Sequence, residues 1–334
     1  MEHAITTPAN TQSPNHVDSD ELKAARRRVF DPTSDEFLHE SEARCCQHRI
    51  GNLHEDTQVC PDPQLPNRFH GFLPNSWNIF KAFGGATMTM GLQAARASLR
   101  RDDLVPLTAS AVFPRALECG PVQMDVETIR TGAQVAQCAV ELQGKDSAAS
   151  ALRLNVIFGK KHDHPLALFG RTFPSDVPAP EHCEPLTPPR NWPLTEMIEA
   201  IPWFQQFEKR LAVGTPAWDS SYGGGEPRAA TWIRYRNPPR RSDGIIDPLT
   251  YAGPGDDMAS ALGEVFGPAS FGYQLLTLEM NIDFFATTKH EWMLQHIRIR
   301  HIADGYVQAS VELWDPDGQL LAVVSQRALM RLMS

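Results

Sequence analysis

The fold is decided by residues 83–101, FGGATMTMGLQAARASLRR, in which a glycine pair precedes an apolar run. Apolar residues of this run recur every three or four positions, at Met88, Leu92, Ala95 and Leu99. That spacing places them on one face of a helix and predicts a helix over residues 86–100, entered through a glycine turn. The flanking segments then decide what this helix packs against.

Strand-like segments surround the predicted helix. One, FHGFLPNSWNIF, comes before the glycine pair. Four more follow without another helix between them: LTASAVF, PVQMDVETIR, QVAQCAVELQ and ASALRLNVIF. Their alternating and β-branched residues are typical of strands. The first half of the chain is therefore predicted as a strand, a helix and an antiparallel meander.

The same pattern returns in the second half. A strand at AATWIRYR precedes a helix predicted over residues 257–266, and four strand-like segments follow: YQLLTLEMNIDFF, EWMLQHIRIRHI, GYVQASVELWD and QLLAVVSQRALMRL. The letters VEL at 140–142 recur at 311–313, which indicates an internal duplication. Two such units packing together bury faces and edges that one unit leaves uncovered. The predicted fold class is α+β, with two curved antiparallel sheets each wrapped around a helix.

Composition divides the chain into four segments. Residues 1–66 are predicted as a partly disordered N-terminal extension, 67–160 as the first unit, 161–227 as a proline-rich connection and 228–334 as the second unit. The connection contains one predicted helix, TEMIEAIPWFQQFEKRL, at residues 195–211.

Charge and composition exclude several classes of function. With 40 acidic against 31 basic residues, the net charge of −9 argues against nucleic-acid binding. No apolar run suggests a membrane span or a secretion signal, so a cytoplasmic protein is expected. Neither a nucleophile elbow nor a phosphate-binding or dinucleotide-binding glycine loop occurs. The scattered residues Cys45, Cys46, His48, His54 and Cys60 lack the paired spacing of a zinc module, and no metal is expected.

A glutamine interrupts the last predicted strand, where residues 320–330 read LLAVVSQRALM. Strand alternation puts Gln326 on the same face as the apolar residues Leu320, Ala322, Val324, Ala328 and Met330. Burying an amide without hydrogen-bond partners costs on the order of 1–3 kcal/mol. Gln326 is therefore either a structural amide bonded to a buried backbone group or part of a functional site.

Several phrases together resemble the acyl-CoA thioesterase family whose type member is bacterial thioesterase II. They are FGG and VETIRTG in the first half, and GDDMASAL, LLTLEMNIDFF, HEWML and VELWDPDGQLLAVVSQ in the second. The likeness covers residues from about 69 to 158 and from about 228 to 332. It implies a double hotdog fold that hydrolyses the thioester of acyl-CoA or of an acyl carrier protein, with no cofactor and no metal.

The resemblance also implies the residues of the site. In the family, an aspartate at the start of the second helix, a threonine in the next strand and a glutamine in the last strand hold the hydrolytic water. By match these are Asp257, Thr277 and Gln326. Asp257 is favoured over the alternative Asp256 because an apolar residue and a turn of helix follow it. A carboxylate can take the proton of the attacking water, and a hydroxyl and an amide can orient that water.

Two further expectations concern the geometry of this site. The turn Phe83-Gly84-Gly85 is a candidate substrate-binding element, because backbone N–H groups at a helix start can stabilise an oxyanion. Strand alternation places Thr277 on a more polar face than the one Gln326 occupies. A bulge or a strong twist is therefore needed to bring the two together.

Several alternatives stay open at this stage. Either aspartate could simply cap a helix. The enzyme could release products from a polyketide or fatty-acid synthase carrier protein, or it could be a non-hydrolytic hotdog that resembles a dehydratase or binds acyl groups.

Counting the catalytic spacing back into the first half leads to Met88 and Asn155, so one site per chain is expected. A homo-oligomer, at least a dimer, is also predicted.

Overall fold

The computed structural model describes residues 50–145, 147–161 and 169–332. Most of the predicted N-terminal extension, residues 1–49, lies outside this range, as do Cys45, Cys46 and His48. No helix in the described ranges is long and apolar enough to cross a membrane.

The described residues form five α-helices and thirteen strands. The helices are α1 (Leu53–Asp56), α2 (Gly84–Leu99), α3 (Thr195–Ala200), α4 (Ala252–Gly255) and α5 (Ala259–Phe266). The strands are β1 (Val59–Pro61), β2 (Arg68–Leu73), β3 (Leu104–Val112), β4 (Gly120–Thr131), β5 (Val135–Gly144), β6 (Leu152–Lys160), β7 (Glu184–Pro185), β8 (Phe207–Val213), β9 (Arg228–Tyr235), β10 (Tyr273–Phe284), β11 (Met293–Ala303), β12 (Tyr306–Trp314) and β13 (Leu320–Leu332). Both of the long helices predicted from periodicity, now α2 and α5, are present.

All thirteen strands belong to one antiparallel sheet with the order β1-β2-β4-β5-β6-β3-β10-β13-β12-β11-β9-β8-β7. The order β2-β4-β5-β6-β3 of the first half returns in the second half as β9-β11-β12-β13-β10. The two halves join where β3 pairs with β10. This repeated topology confirms the double hotdog fold and the internal duplication.

The duplication extends to irregularities within the strands. An extra residue interrupts the pairing of β3 at Leu107 and that of β10 at Leu278. These two leucines are 171 residues apart, the same separation as the two VEL segments. Ser110 and Asn281, which also differ by 171, pair with each other across the junction of the two halves. An approximate two-fold axis therefore passes through this pair.

Helix α2 is buried on more than the predicted face. Met88, Leu92 and Ala95 have no exposed surface, as the spacing predicts. Thr89 is also buried, because α2 packs against the second half as well as against its own sheet. The Thr89 hydroxyl donates to the carbonyl of Leu249 in the second half, at 3.2 Å. The N-terminal half of α2 therefore lies between the two halves of the protein.

The proline-rich connection contributes two strands to the sheet. β8 pairs with β9, and the short β7 pairs with β8. The helix predicted over residues 195–211 is wrong beyond Ala200, because Pro202 ends it and residues 207–211 belong to β8. Strand β8 carries Lys209, whose Nζ lies 2.8 Å from Oδ2 of Asp257.

Candidate active site

Gln326 is buried on β13, with 3% of its surface exposed, as strand alternation predicts. Its side-chain amide nitrogen donates to Oδ1 of Asp256 and, at 2.9 Å, to Oγ1 of Thr277. Both partners are side chains, and neither is a backbone group. Its amide oxygen is also buried, and no described residue donates a hydrogen bond to it. Gln326 is thus the centre of a polar cluster in an apolar surrounding. Its amide oxygen, a strong acceptor, receives no hydrogen bond from the described residues.

Asp256 lies directly after α4 and reaches across to the first half of the protein. Its Oδ2 accepts a hydrogen bond of 2.8 Å from the backbone N–H of Gly85, in the first turn of α2. Burial raises the pKa of Asp256 to about 6, against the lowering effect of the hydrogen bonds from Gly85 and Gln326, and the nearby charge of Asp257 raises it further. The carboxylate is therefore a base poised near neutral pH.

Thr277 reaches the cluster because of the bulge in β10. Thr277 pairs with Ala328, whereas Glu279 pairs with Arg327, so Leu278 is the extra residue. An extra residue shifts the alternation of side chains by one position. Thr277 therefore lies on the same face of the sheet as Gln326. The bulge is the irregularity that strand alternation in the sequence required.

The structure places the two aspartates in different surroundings. Asp256 occupies the position beside Thr277 and Gln326 that was expected for Asp257. The carboxylate of Asp257 instead lies 2.8 Å from Nζ of Lys209 and near Ser260, in the first turn of α5. The chain turns between α4, which ends at Gly255, and α5, which starts at Ala259, so consecutive side chains point in different directions. A rule based on the residue that follows the aspartate could not detect this turn.

The glycine pair predicted as a turn forms the first two residues of α2 and makes contacts within the protein. The N–H of Gly85 is already bonded to Asp256. A Cβ at Gly85 would lie 2.4 Å from the carbonyl oxygen of Ala252, and a Cβ at Gly84 would lie 2.6 Å from Oδ2 of Asp256. The ring of Phe83 is buried and lies 5.1 Å from that of Trp203. These glycines let α2 and α4 approach closely, and a role of this turn in binding substrate stays a prediction.

Possible metal ligands lie elsewhere. His54 is hydrogen-bonded to Asp247 through Nδ1, at 2.6 Å. Among the described residues, His290, Asp315 and Asp317 place ligand atoms within 4.8 Å of one another. Asp315 already accepts hydrogen bonds from the backbone N–H groups of Asp317 and Gln319, as a turn aspartate does. This group therefore has a structural explanation in the β12–β13 hairpin.

Two family models match the chain. The model of the acyl-CoA thioesterase N-terminal domain matches residues 73–159, and that of the acyl-CoA thioesterase C-terminal domain matches residues 180–330. No curated protein matches the chain significantly.

Solved structures of similar fold agree with these matches. A conserved protein of unknown function with a hot dog fold from Alicyclobacillus acidocaldarius is 19% identical, with a TM-score of 0.67 over 86% of this chain and 100% of its own. A putative thioesterase II from Thermobifida fusca is 18% identical, with a TM-score of 0.66 over 84% and 98%. The acyl-CoA thioesterase II TesB2 from Mycobacterium marinum is 16% identical, with a TM-score of 0.61 over 84% and 98%.

At such low identity the solved structures support the fold alone, whereas the two family models together span more than half of the sequence. On those matches, the chain belongs to the acyl-CoA thioesterase family.

Proposed function

We propose that the protein hydrolyses acyl thioesters, with Asp256 as the general base and with Thr277 and Gln326 positioning the water. Family membership supports thioesterase activity in general. The observation that carries the residue assignment is the side-chain amide of Gln326, which bonds to Asp256 and Thr277 at once. One amide thus orients the base and a hydroxyl in a buried cluster.

The unpartnered oxygen of Gln326 marks where a water would be held. A buried acceptor without a donor is costly, on the order of 1–3 kcal/mol. A water that donates one hydrogen to this oxygen and the other to the carboxylate of Asp256 would satisfy it, with Thr277 as a third partner. The oxygen of such a water is then free to attack.

The reaction follows from these roles. As the water oxygen forms a bond to the thioester carbonyl carbon, Asp256 takes one water proton and the carbonyl oxygen becomes an oxyanion. When the intermediate collapses, the carbon–sulfur bond breaks and the protonated Asp256 returns the proton to the leaving thiolate. The products are a carboxylic acid and a free thiol, and Asp256 is ionised again. General base catalysis of this kind contributes roughly 10²–10⁴ in rate.

The carrier of the acyl group is proposed from the family name as coenzyme A. Acyl carrier proteins present the same pantetheine thioester, so release from a synthase carrier protein is the alternative. A dehydratase-like reaction finds less support, because the groups bonded to Asp256 come from Gly85, Gln326 and Thr277, and none of these is a histidine.

Release of free thiol from short to long acyl-CoAs tests the proposal. We expect the wild type to turn over some chain lengths and Asp256→Asn to lose at least about a hundredfold in kcat. Thr277→Val and Gln326→Leu should each lower kcat, with smaller effects on KM, because they act on the water. The same proteins are assayed on acylated carrier protein.

Asp257→Asn is the matched control, since it changes the neighbouring carboxylate. We expect it to keep most of its activity at neutral pH, and circular dichroism should show that all variants are folded. Loss of activity in Asp257→Asn with full activity in Asp256→Asn would assign the base to Asp257. No hydrolysis of any thioester by the wild type would refute the function itself.

A further inference from the structure

We infer that Lys209 is a positioning residue of the active site, which pairs with Asp257 and so neutralises the second carboxylate beside the base. This inference rests on the proposed function. Lys209 lies on β8, in the proline-rich connection and within the residues that the C-terminal family model matches. The connection therefore supplies a charged group to the site.

The pair is close and poorly solvated. Nζ of Lys209 lies 2.8 Å from Oδ2 of Asp257, with 15% and 5% of the two side chains exposed. Among the described residues, no other cation forms an ion pair with Asp257. Removal of one partner of such a pair leaves an uncompensated buried charge.

Lys209 also contacts an aromatic side chain that packs near the start of α2. Its ammonium lies 5.0 Å from the ring centre of Trp203, a favourable cation–π distance. The ring of Trp203 lies 5.1 Å from that of Phe83, the residue directly before α2. The first turn of α2 provides the N–H of Gly85 that binds Asp256. Lys209 is thus connected to the base both through Asp257 and through the start of α2.

Among the described groups around Asp257, Lys209 is the one that compensates its negative charge. Ser260 contributes only long contacts of 3.3 to 3.5 Å from its hydroxyl and its N–H. Tyr222 and Glu264 also face this region, and Glu264 is held by the backbone N–H of Thr215, at 2.5 Å. None of these groups is a cation. Without Lys209, the anion of Asp257 would disfavour ionisation of Asp256 more strongly than it does in the intact pair.

Two single variants should therefore move the pH dependence of kcat/KM in opposite directions. Lys209→Met leaves Asp257 unpaired, so the acidic limb of the profile moves to higher pH by on the order of one unit. Activity at pH 6 then falls about tenfold and recovers at higher pH. Asp257→Asn leaves the cation unpaired, so the limb moves to lower pH. The double variant should return close to the wild-type limb.

The controls separate electrostatics from structure. Lys209→Arg keeps the charge and should keep the wild-type limb. Arg153→Met removes one cation from an exposed pair with Glu141 on the first half, and it should leave the limb unchanged. If both single variants lower activity equally at every pH without moving the limb, Lys209 is structural and the inference is overturned.

A second readout keeps this test independent of hydrolysis. Carbon-13 NMR titration of the Asp256 carboxyl group in the same four proteins should show the same opposite shifts. If the wild type hydrolyses no thioester but the carboxyl shifts are found, the proposed function fails and the electrostatic role of Lys209 stands. If hydrolysis is found but the limb and the carboxyl group do not shift, the inference alone fails.

Discussion

Asp256, the proposed base, is a buried carboxylate whose pKa is set by opposing effects. Desolvation disfavours the carboxylate, whereas the N–H of Gly85 and the positive end of α2 favour it. Desolvation is the larger effect, so the pKa of Asp256 rises. The opposing hydrogen bonds limit this rise to about 6. The same residue is thus still ionised at neutral pH, at a cost to the folded state.

That cost predicts a dependence of stability on pH. The pKa of Asp256 is about 6 in the folded protein against 3.8 for an ordinary aspartate. Because the folded state binds the proton more tightly, the contribution of Asp256 to stability is fully present below pH 3.8 and is lost as the pH rises through 6. Relative to the wild type, Asp256→Asn should gain about 2–3 kcal/mol of unfolding free energy between pH 4 and pH 7. Urea unfolding of both proteins at several pH values measures this, and a constant difference between them would contradict it.

Among the elements, the close approach of α2 and α4 sets the position of Asp256, the proposed base. It depends on Gly85, where any side chain would meet the backbone of Ala252. We expect Gly85→Ala to lower the unfolding free energy by about 1–3 kcal/mol and to reduce kcat, because α4 and with it Asp256 must shift. Gly272→Ala is the matched control, since a Cβ there meets nothing within 4 Å. Equal stability and activity of the two variants would show that the approach is not needed.

The bulge in β10 is the second decisive element. Without the extra residue, Thr277 would point away from Gln326. Deletion of Leu278 should therefore abolish most activity, whereas Leu278→Ala, which keeps the bulge, should remain within a few-fold of the wild type. Thiol release by the two variants, compared after circular dichroism has shown a folded sheet, measures the effect. A deletion variant as active as Leu278→Ala would dismiss this role of the bulge.

At the scale of the whole molecule, the two halves share a topology and differ in chemistry. By strand register, Thr277 corresponds to Pro106 and Gln326 corresponds to Val156. Counting along the sequence leads to Asn155 instead, because nine residues separate the paired Leu142 and Leu152 in the first half, whereas eight separate the corresponding pair Leu313 and Ala322 in the second. The first half thus has neither the hydroxyl nor the amide at these two positions.

One catalytic site per chain is therefore expected. Calorimetric titration with a non-hydrolysable thioether analogue of a preferred acyl-CoA should give one site per chain, and Gln326→Leu should weaken its binding only slightly if Gln326 acts on the water. Val156→Leu is the matched control in the first half and should leave kcat unchanged. Two equal sites, or a large loss of kcat in the control, would contradict this expectation.

The predicted oligomer stays a prediction, and the sheet itself limits how it can form. Its two edge strands, β1 and β7, are three and two residues long, and each ends in a proline. Short edges with proline oppose strand pairing between molecules. Association through the faces of the protein is therefore favoured over association through its edges.

The sequence by itself determined the duplicated strand, helix and meander pattern, the burial of Gln326 and the family. These depend on periodicity and on short phrases, which are local properties of the chain. Only the tertiary structure decided that Asp256 faces Thr277 and Gln326, that a bulge turns Thr277 inward, and that Lys209 comes from the connection to meet Asp257. The first two depend on the exact residue at which a turn or a bulge occurs. The third depends on which strand, distant in sequence, pairs with β9. Such contacts are set by packing between segments far apart in sequence, which local patterns do not encode.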